Sequence, residues 1–124
     1  MTTAAVIYAK DLDRLVGFYA ALGLGVDESQ GDFAVLIGLG VELSIVQIPE
    51  SVAAQIEIST PPRARTRTPI KLAFVVASIE NSLEATRALG GRIKEDTKRW
   101  QFRGHAIQDA VDPEGNVYQL RERL

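Results

Sequence analysis

Cysteine is absent from the 124 residues, which excludes disulfides, thiolate metal sites and cysteine nucleophiles. Neither sign of charge dominates. Fourteen basic residues face sixteen acidic ones, and a net charge of −2 offers no footprint for nucleic acid or for an anionic membrane surface. Long apolar runs are also missing, since no stretch reaches the roughly 18 residues that a membrane span needs. The opening "MTTAAVIYAKDLDR" has no charged segment ahead of an apolar one, so no secretory leader is expected and the expected location is cytoplasmic. Aromatic side chains are few. Four Phe, three Tyr and one Trp make up 6% of the chain, and histidine occurs once, at His105. What the chain has is apolar content, 46%, enough for one substantial core or for two small modules sharing one.

An internal repeat organises that content. "AKDLDRLVGFYAALGLGV" aligns without a gap on "VASIENSLEATRALGGRI", bringing Asp11 onto Ser78, Leu12 onto Ile79, Val16 onto Leu83, Leu22 onto Leu89 and Gly23 onto Gly90. In each copy an apolar extended run, Ala4 to Ala9 or Ile70 to Val76, precedes an N-cap residue and then apolar residues at helical spacing. In each, "ALG" ends the helix with the glycine that a left-handed cap wants. Three short strands are predicted to follow: residues 25–28, 33–37 and 41–47 in the first copy, 92–94, 104–111 and 117–121 in the second. "DTKRWQFRG" forms a longer, more polar hairpin inside the second copy. Phe18, Leu22, Phe74 and Leu89 are expected in the core.

Module one is therefore expected over residues 1–58, a linker over 59–68, and module two over 69–124, together forming a single domain. The connector "IPESVAAQIEISTPPRARTRTP" opens with a helical turn at residues 50–55 and ends in a stretch rich in proline and arginine. Arg63, Arg65 and Arg67 alternate there and read as a solvated run, with an anion or acidic partner as the functional alternative.

The βαβββ duplication, with "DLDRLVGFYAALGL" in one half and "DPEGNVYQL" in the other, resembles the vicinal oxygen chelate superfamily of glyoxalase I, bleomycin-resistance proteins and extradiol dioxygenases. The resemblance implies an α+β fold: two tandem βαβββ modules whose curled mixed sheets surround a shared cavity, commonly in a homodimer. In metal-dependent members a divalent ion sits between the modules, with ligands from the first and last strand of each. Carried over, those positions are Ala4, Glu42, Lys71 and Gln119. Ala4 has no donor and Lys71 brings a positive charge. Glu42 and Gln119 leave at most two oxygens, too few to hold a divalent ion against its hydration shell. No metal and no cofactor are expected.

The ligand-binding residues expected on this basis are Tyr8, Glu42, Lys71, Trp100, Phe102 and Gln119. Glu42 and Lys71 have two readings, as an oppositely charged pair inside the cavity or as separate charges at its wet rim. Trp100 and Phe102 either stack on a flat ligand or pack as a lid. Tyr8 shares the face of Ala4 and Val6. His105 reads as an ordinary strand residue, with general-base work as the alternative. The expected function is binding of a small molecule, a planar or amphipathic compound, without a metal. The alternatives are a glyoxalase- or dioxygenase-like enzyme with atypical or displaced metal ligands, a metal-free catalyst using Glu42 as base beside Lys71, and an interaction module whose cup is filled.

Overall fold

A computed structural model describes residues 3–124. Among the described residues, nine strands and three helices follow one another as β1 (Thr3–Ala9), α1 (Leu12–Leu22), β2 (Gly25–Ser29), β3 (Phe33–Gly38), β4 (Val41–Gln47), α2 (Glu50–Ala53), β5 (Leu72–Val76), α3 (Ile79–Arg87), β6 (Arg92–Ile93), β7 (Trp100–Phe102), β8 (His105–Val111) and β9 (Val117–Arg123). Met1 and Thr2, the start of the expected first module, lie outside the described residues.

Both main helices begin as their sequences predict. Asp11 accepts a hydrogen bond from the Arg14 amide at 3.2 Å, and Ser78 accepts one from the Asn81 amide at 3.1 Å, so each side chain satisfies one otherwise orphaned donor of the first turn. They end differently: Gly23 caps α1 directly, whereas α3 ends at Arg87 with Ala88 as its cap, short of the expected stop at Gly90. Gly23 and Gly90 take φ values of 130° and 93°, which only a residue without Cβ adopts freely. The second helix is shorter, and that corrects one core assignment. Leu89 falls beyond the end of α3 and is 40% exposed, whereas Phe18, Leu22 and Phe74 are buried.

The strands form two mixed sheets. The first has the order β1-β4-β3-β2, with β1 parallel to β4 and the others antiparallel. The second has the order β5-β9-β8-β6, with β5 parallel to β9 and β7 also pairing with β8. β6 and β7 pair with opposite ends of β8, so they share one edge position that residues 94–99 interrupt. The expected long hairpin is thus a split edge strand. It closes through Arg103 and Gly104, whose φ values of 51° and 76° are those of a two-residue turn matching the strand twist. Module two also starts later than the apolar run predicts. β5 begins at Leu72, leaving Ile70 and Lys71 in the connector.

α1 and α3 lie against the inner faces of the sheets. Alternation along β1, β3 and β4 directs Ala9, Ala34, Leu36, Leu43 and Ile45 inward, and β5, β8 and β9 do the same with Phe74, Val76, Ala110, Tyr118 and Leu120. The two halves share this core. Phe18 and Tyr19 of α1 meet Phe74 and Tyr118 of the second sheet at ring separations of 5.9 to 6.1 Å, mostly edge to face. Each such side chain contributes about 1.5–3 kcal/mol through burial, so neither half keeps its core without the other.

The turn "DPEGN" ties the halves together as well. Asp112 is fully buried; its Oδ1 accepts from the amides of Glu114 and Asn116, and its Oδ2 accepts from the Tyr19 hydroxyl at 2.7 Å and from Asn116 Nδ2 at 2.8 Å. Glu114 reaches back to module one, accepting from the amides of Lys10 and Asp11 at 2.8 Å each. The connector is pinned to the same turn by Arg65, whose amide donates to the Gly115 carbonyl at 2.7 Å. Among the described residues no helix is long and apolar enough to cross a membrane.

Candidate ligand-binding site

With the inner faces closed by helices, the outer faces of the sheets carry the expected site residues. On the first sheet, Val6, Tyr8, Ile37 and Glu42 are exposed, and Tyr8 is 66% accessible. Ala4 lies directly opposite Glu42, and Glu28 opposite Val35 extends the same face. The second sheet's outer face is built from Ala73 and Val75 of β5, Gln119 and Arg121 of β9, and His105, Ile107 and Asp109 of β8. β7 adds two aromatic side chains, because Trp100 stands opposite Ile107 and Phe102 opposite His105.

Glu42 and Gln119 alternate with buried Leu43 and Leu120, so both turn away from the helices. They are not mates in the repeat, however. Ala5 pairs with Leu43 as Leu72 pairs with Tyr118, which makes Ser44 the counterpart of Gln119 and Val117 that of Glu42. The same register recurs at the helix starts, where Gln47 Oε1 accepts from the Leu12 amide at 3.0 Å and Glu122 Oε2 accepts from the Ile79 amide at 2.8 Å. The two motif-derived positions therefore sit one pleat apart in depth.

The Lys71–Glu42 pair considered from the sequence is not formed. Lys71 Nζ lies 2.9 Å from Asp109 Oδ2, with the carboxylate side chain only 5% exposed. Sequence reasoning passed over Asp109, although its position in β8, alternating with Ile107 and opposite Gln119, was readable from the hairpin. It also passed over Arg121. That guanidinium donates to Gln119 Oε1 at 3.1 and 3.3 Å and lies 5.9 Å from the centre of the Phe102 ring, a cation over an aromatic face. His105 Nδ1 lies 2.9 Å from the Arg103 carbonyl; a carbonyl only accepts, so Nδ1 carries the hydrogen.

The donor set does not suit the family's metal. Ala4 offers nothing, Lys71 is a cation engaged with Asp109, and Gln119 is occupied by Arg121. Among the described residues no group of three or more His, Asp or Glu side chains is placed to share one ion. The wide cleft of 1030 Å³ between the connector and "DPEGN" is bordered by Lys10, Glu57, Arg63, Arg67 and Glu114, and by none of the six expected ligand-binding residues. The arginine run is exposed, as read, but its backbone is held rather than free.

A family profile described as glyoxalase-like domain matches residues 4–121. The chain belongs to that family. The glyoxalase-like domain is thereby placed in the vicinal oxygen chelate superfamily, and solved structures agree on the fold. A glyoxalase/bleomycin resistance protein from Albidiferax ferrireducens T118 is 20% identical, with a TM-score of 0.68 over 100% of this chain and 99% of that one. A glyoxalase/bleomycin resistance protein/dioxygenase family enzyme from Burkholderia phytofirmans PsJN is 17% identical, with a TM-score of 0.70 over 98% of both chains. A bleomycin-binding protein solved in complex with bleomycin is 16% identical, with a TM-score of 0.59 over 100% of this glyoxalase-like domain and 98% of its own length. No curated protein matches it in sequence.

Proposed function

We propose that this glyoxalase-like domain binds and sequesters a planar or amphipathic small molecule without a metal, on the outer face of its second sheet. The observation that carries the reading is the company on that face. Trp100, Phe102 and Val75 supply flat and apolar surface, and Arg121 over Phe102 adds a cation, while the positions that hold the metal in metal-dependent relatives lack a usable donor set. A structural relative that binds bleomycin supports the same class of function. Tyr8 and Glu42, on the other sheet, enter such a site when a second copy supplies the first sheet. A homodimer is part of the proposal.

Anilinonaphthalene sulfonate, a flat amphipathic anion, is a suitable probe. It is expected to bind saturably with quenching of the sole tryptophan. Trp100→Ala is expected to weaken binding several-fold, since ring stacking contributes about 0.5–1.5 kcal/mol beyond the contact area lost. Chelation of divalent ions should leave the affinity unchanged. One tightly held divalent metal per chain, or unchanged dye affinity in Trp100→Ala, overturns the reading.

A further inference from the structure

Asp109 is bonded on one side only. Its Oδ2 is met by Lys71 Nζ at 2.9 Å, but its Oδ1 is buried without a hydrogen-bond partner among the described residues. A carboxylate oxygen withdrawn from water and given no donor is costly, so such an atom persists where something supplies the donor. Asp109 is not sealed in packed core. It lines a cavity of 290 Å³ whose walls include Arg65, Thr66, Thr68, Lys71, Lys94 and Val117. Arg65, Lys71 and Lys94 stand there against Asp109 and against Asp96 on Lys94, an excess of positive charge that makes this cavity attractive to an anion. Lys94 is held in place, its Nζ donating to Asp96 Oδ1 at 2.6 Å and to Thr97 Oγ1 at 3.1 Å, and an ammonium has a third hydrogen to give.

We infer that this cavity is a subsite for a small anion bearing an O–H or N–H donor beside its acid group, the donor bonding Asp109 Oδ1 and the acid group facing Lys71 and Lys94. The inference rests on the proposed binding role of the second sheet's outer face, of which this cavity is the polar end. It specifies chemistry that the aromatic surface does not. A ligand with both features joins a flat or apolar body at Trp100 and Phe102 to a hydroxy-acid or amino-acid-like end at Asp109.

Malate and succinate differ by one hydroxyl and serve as probes, their binding to the whole protein followed by shifts of backbone amide resonances. Malate is expected to bind about tenfold more tightly, the scale of a hydrogen bond to a charged group. In Asp109→Ala that preference is expected to vanish, with succinate bound no more weakly than by the unaltered protein because Lys71 loses its carboxylate partner, and in Lys94→Met both acids should weaken alike with the preference intact. Equal affinities in the unaltered protein, or a preference that survives Asp109→Ala, overturn the subsite. If Asp109→Ala does not fold, the comparison in the unaltered protein and in Lys94→Met still decides. Anilinonaphthalene sulfonate separates the two failures. Dye binding with no preference between the acids sinks the subsite alone, and loss of dye and acids together sinks the binding role too.

Discussion

Asp112 and Glu114 belong to the "DPEGN" turn, and both hold the two halves together through hydrogen bonds. Burial pushes the Asp112 carboxyl above its ordinary value of 3.8, against the opposing pull of hydrogen bonds from Tyr19, Asn116 and the backbone. Burial beside that carboxylate also raises the Tyr19 phenol, which therefore stays protonated and donates. The sign of the consequence follows from linkage. A carboxyl that binds its proton more tightly folded than unfolded adds stability that is complete below the unfolded value and is lost as pH rises through the folded one. The stability of the unaltered protein relative to Asp112→Asn is therefore expected to fall as pH is raised from about 3.8, the ordinary value. Urea unfolding of both proteins from acid to neutral pH measures it, and a difference that grows with pH refutes the assignment.

At the scale of elements, the connector is the part whose behaviour least follows from its composition. Proline and alternating arginines suggest a free tether, yet the chain lies against the "DPEGN" turn. Gly115 makes the contact possible. It has a φ of 90°, and a Cβ built there would come 2.3 Å from the Arg63 carbonyl oxygen. Gly115→Ala thus combines backbone strain with a backbone clash and is expected to cost about 2 kcal/mol or more. The local effect should exceed the global one. Trypsin is expected to cut after Arg63, Arg65 or Arg67 several-fold faster in the variant, because lifting the connector loses the Arg65–Gly115 hydrogen bond. Unchanged stability and unchanged cleavage together refute it. The split edge strand shows the opposite situation, where a short two-residue turn is enough to deliver Trp100 and Phe102 to the face of β8.

For the whole molecule, both outer faces carry more apolar surface than a lone chain needs. Val6, Tyr8 and Ile37 are exposed on the first sheet, Val75 and Phe102 on the second, and the accompanying charges are of opposite kind. Glu28 and Glu42 mark the first face; Lys71, Lys94 and Arg121 mark the second. A two-fold pair that sets the first face of each copy against the second face of the other matches charge twice and buries both apolar surfaces. Sedimentation is expected to give a dimer, and Tyr8→Lys, which puts a cation against a cationic face, is expected to shift it toward monomer. A monomer at all concentrations, or a dimer indifferent to Tyr8→Lys, removes this pairing.

The extent of what was legible divides along the range of the interactions. Helix starts at Asp11 and Ser78, the stop of α1 at Gly23, and the facing of Glu42 and Gln119 were settled by the sequence itself, because caps and alternation depend on neighbours within a few residues. The duplication made the family recognisable for the same reason, each copy repeating one local pattern. Tertiary structure alone decided the rest. Lys71 took Asp109 as its partner, Glu114 the amides of Lys10 and Asp11, and Leu89 a place outside the core, each through contacts or helix lengths that no local pattern encodes. The pairing register also set Glu42 and Gln119 one pleat apart, since the two halves reach their last strands through turns of different length and only the strand ladder fixes which residues come opposite.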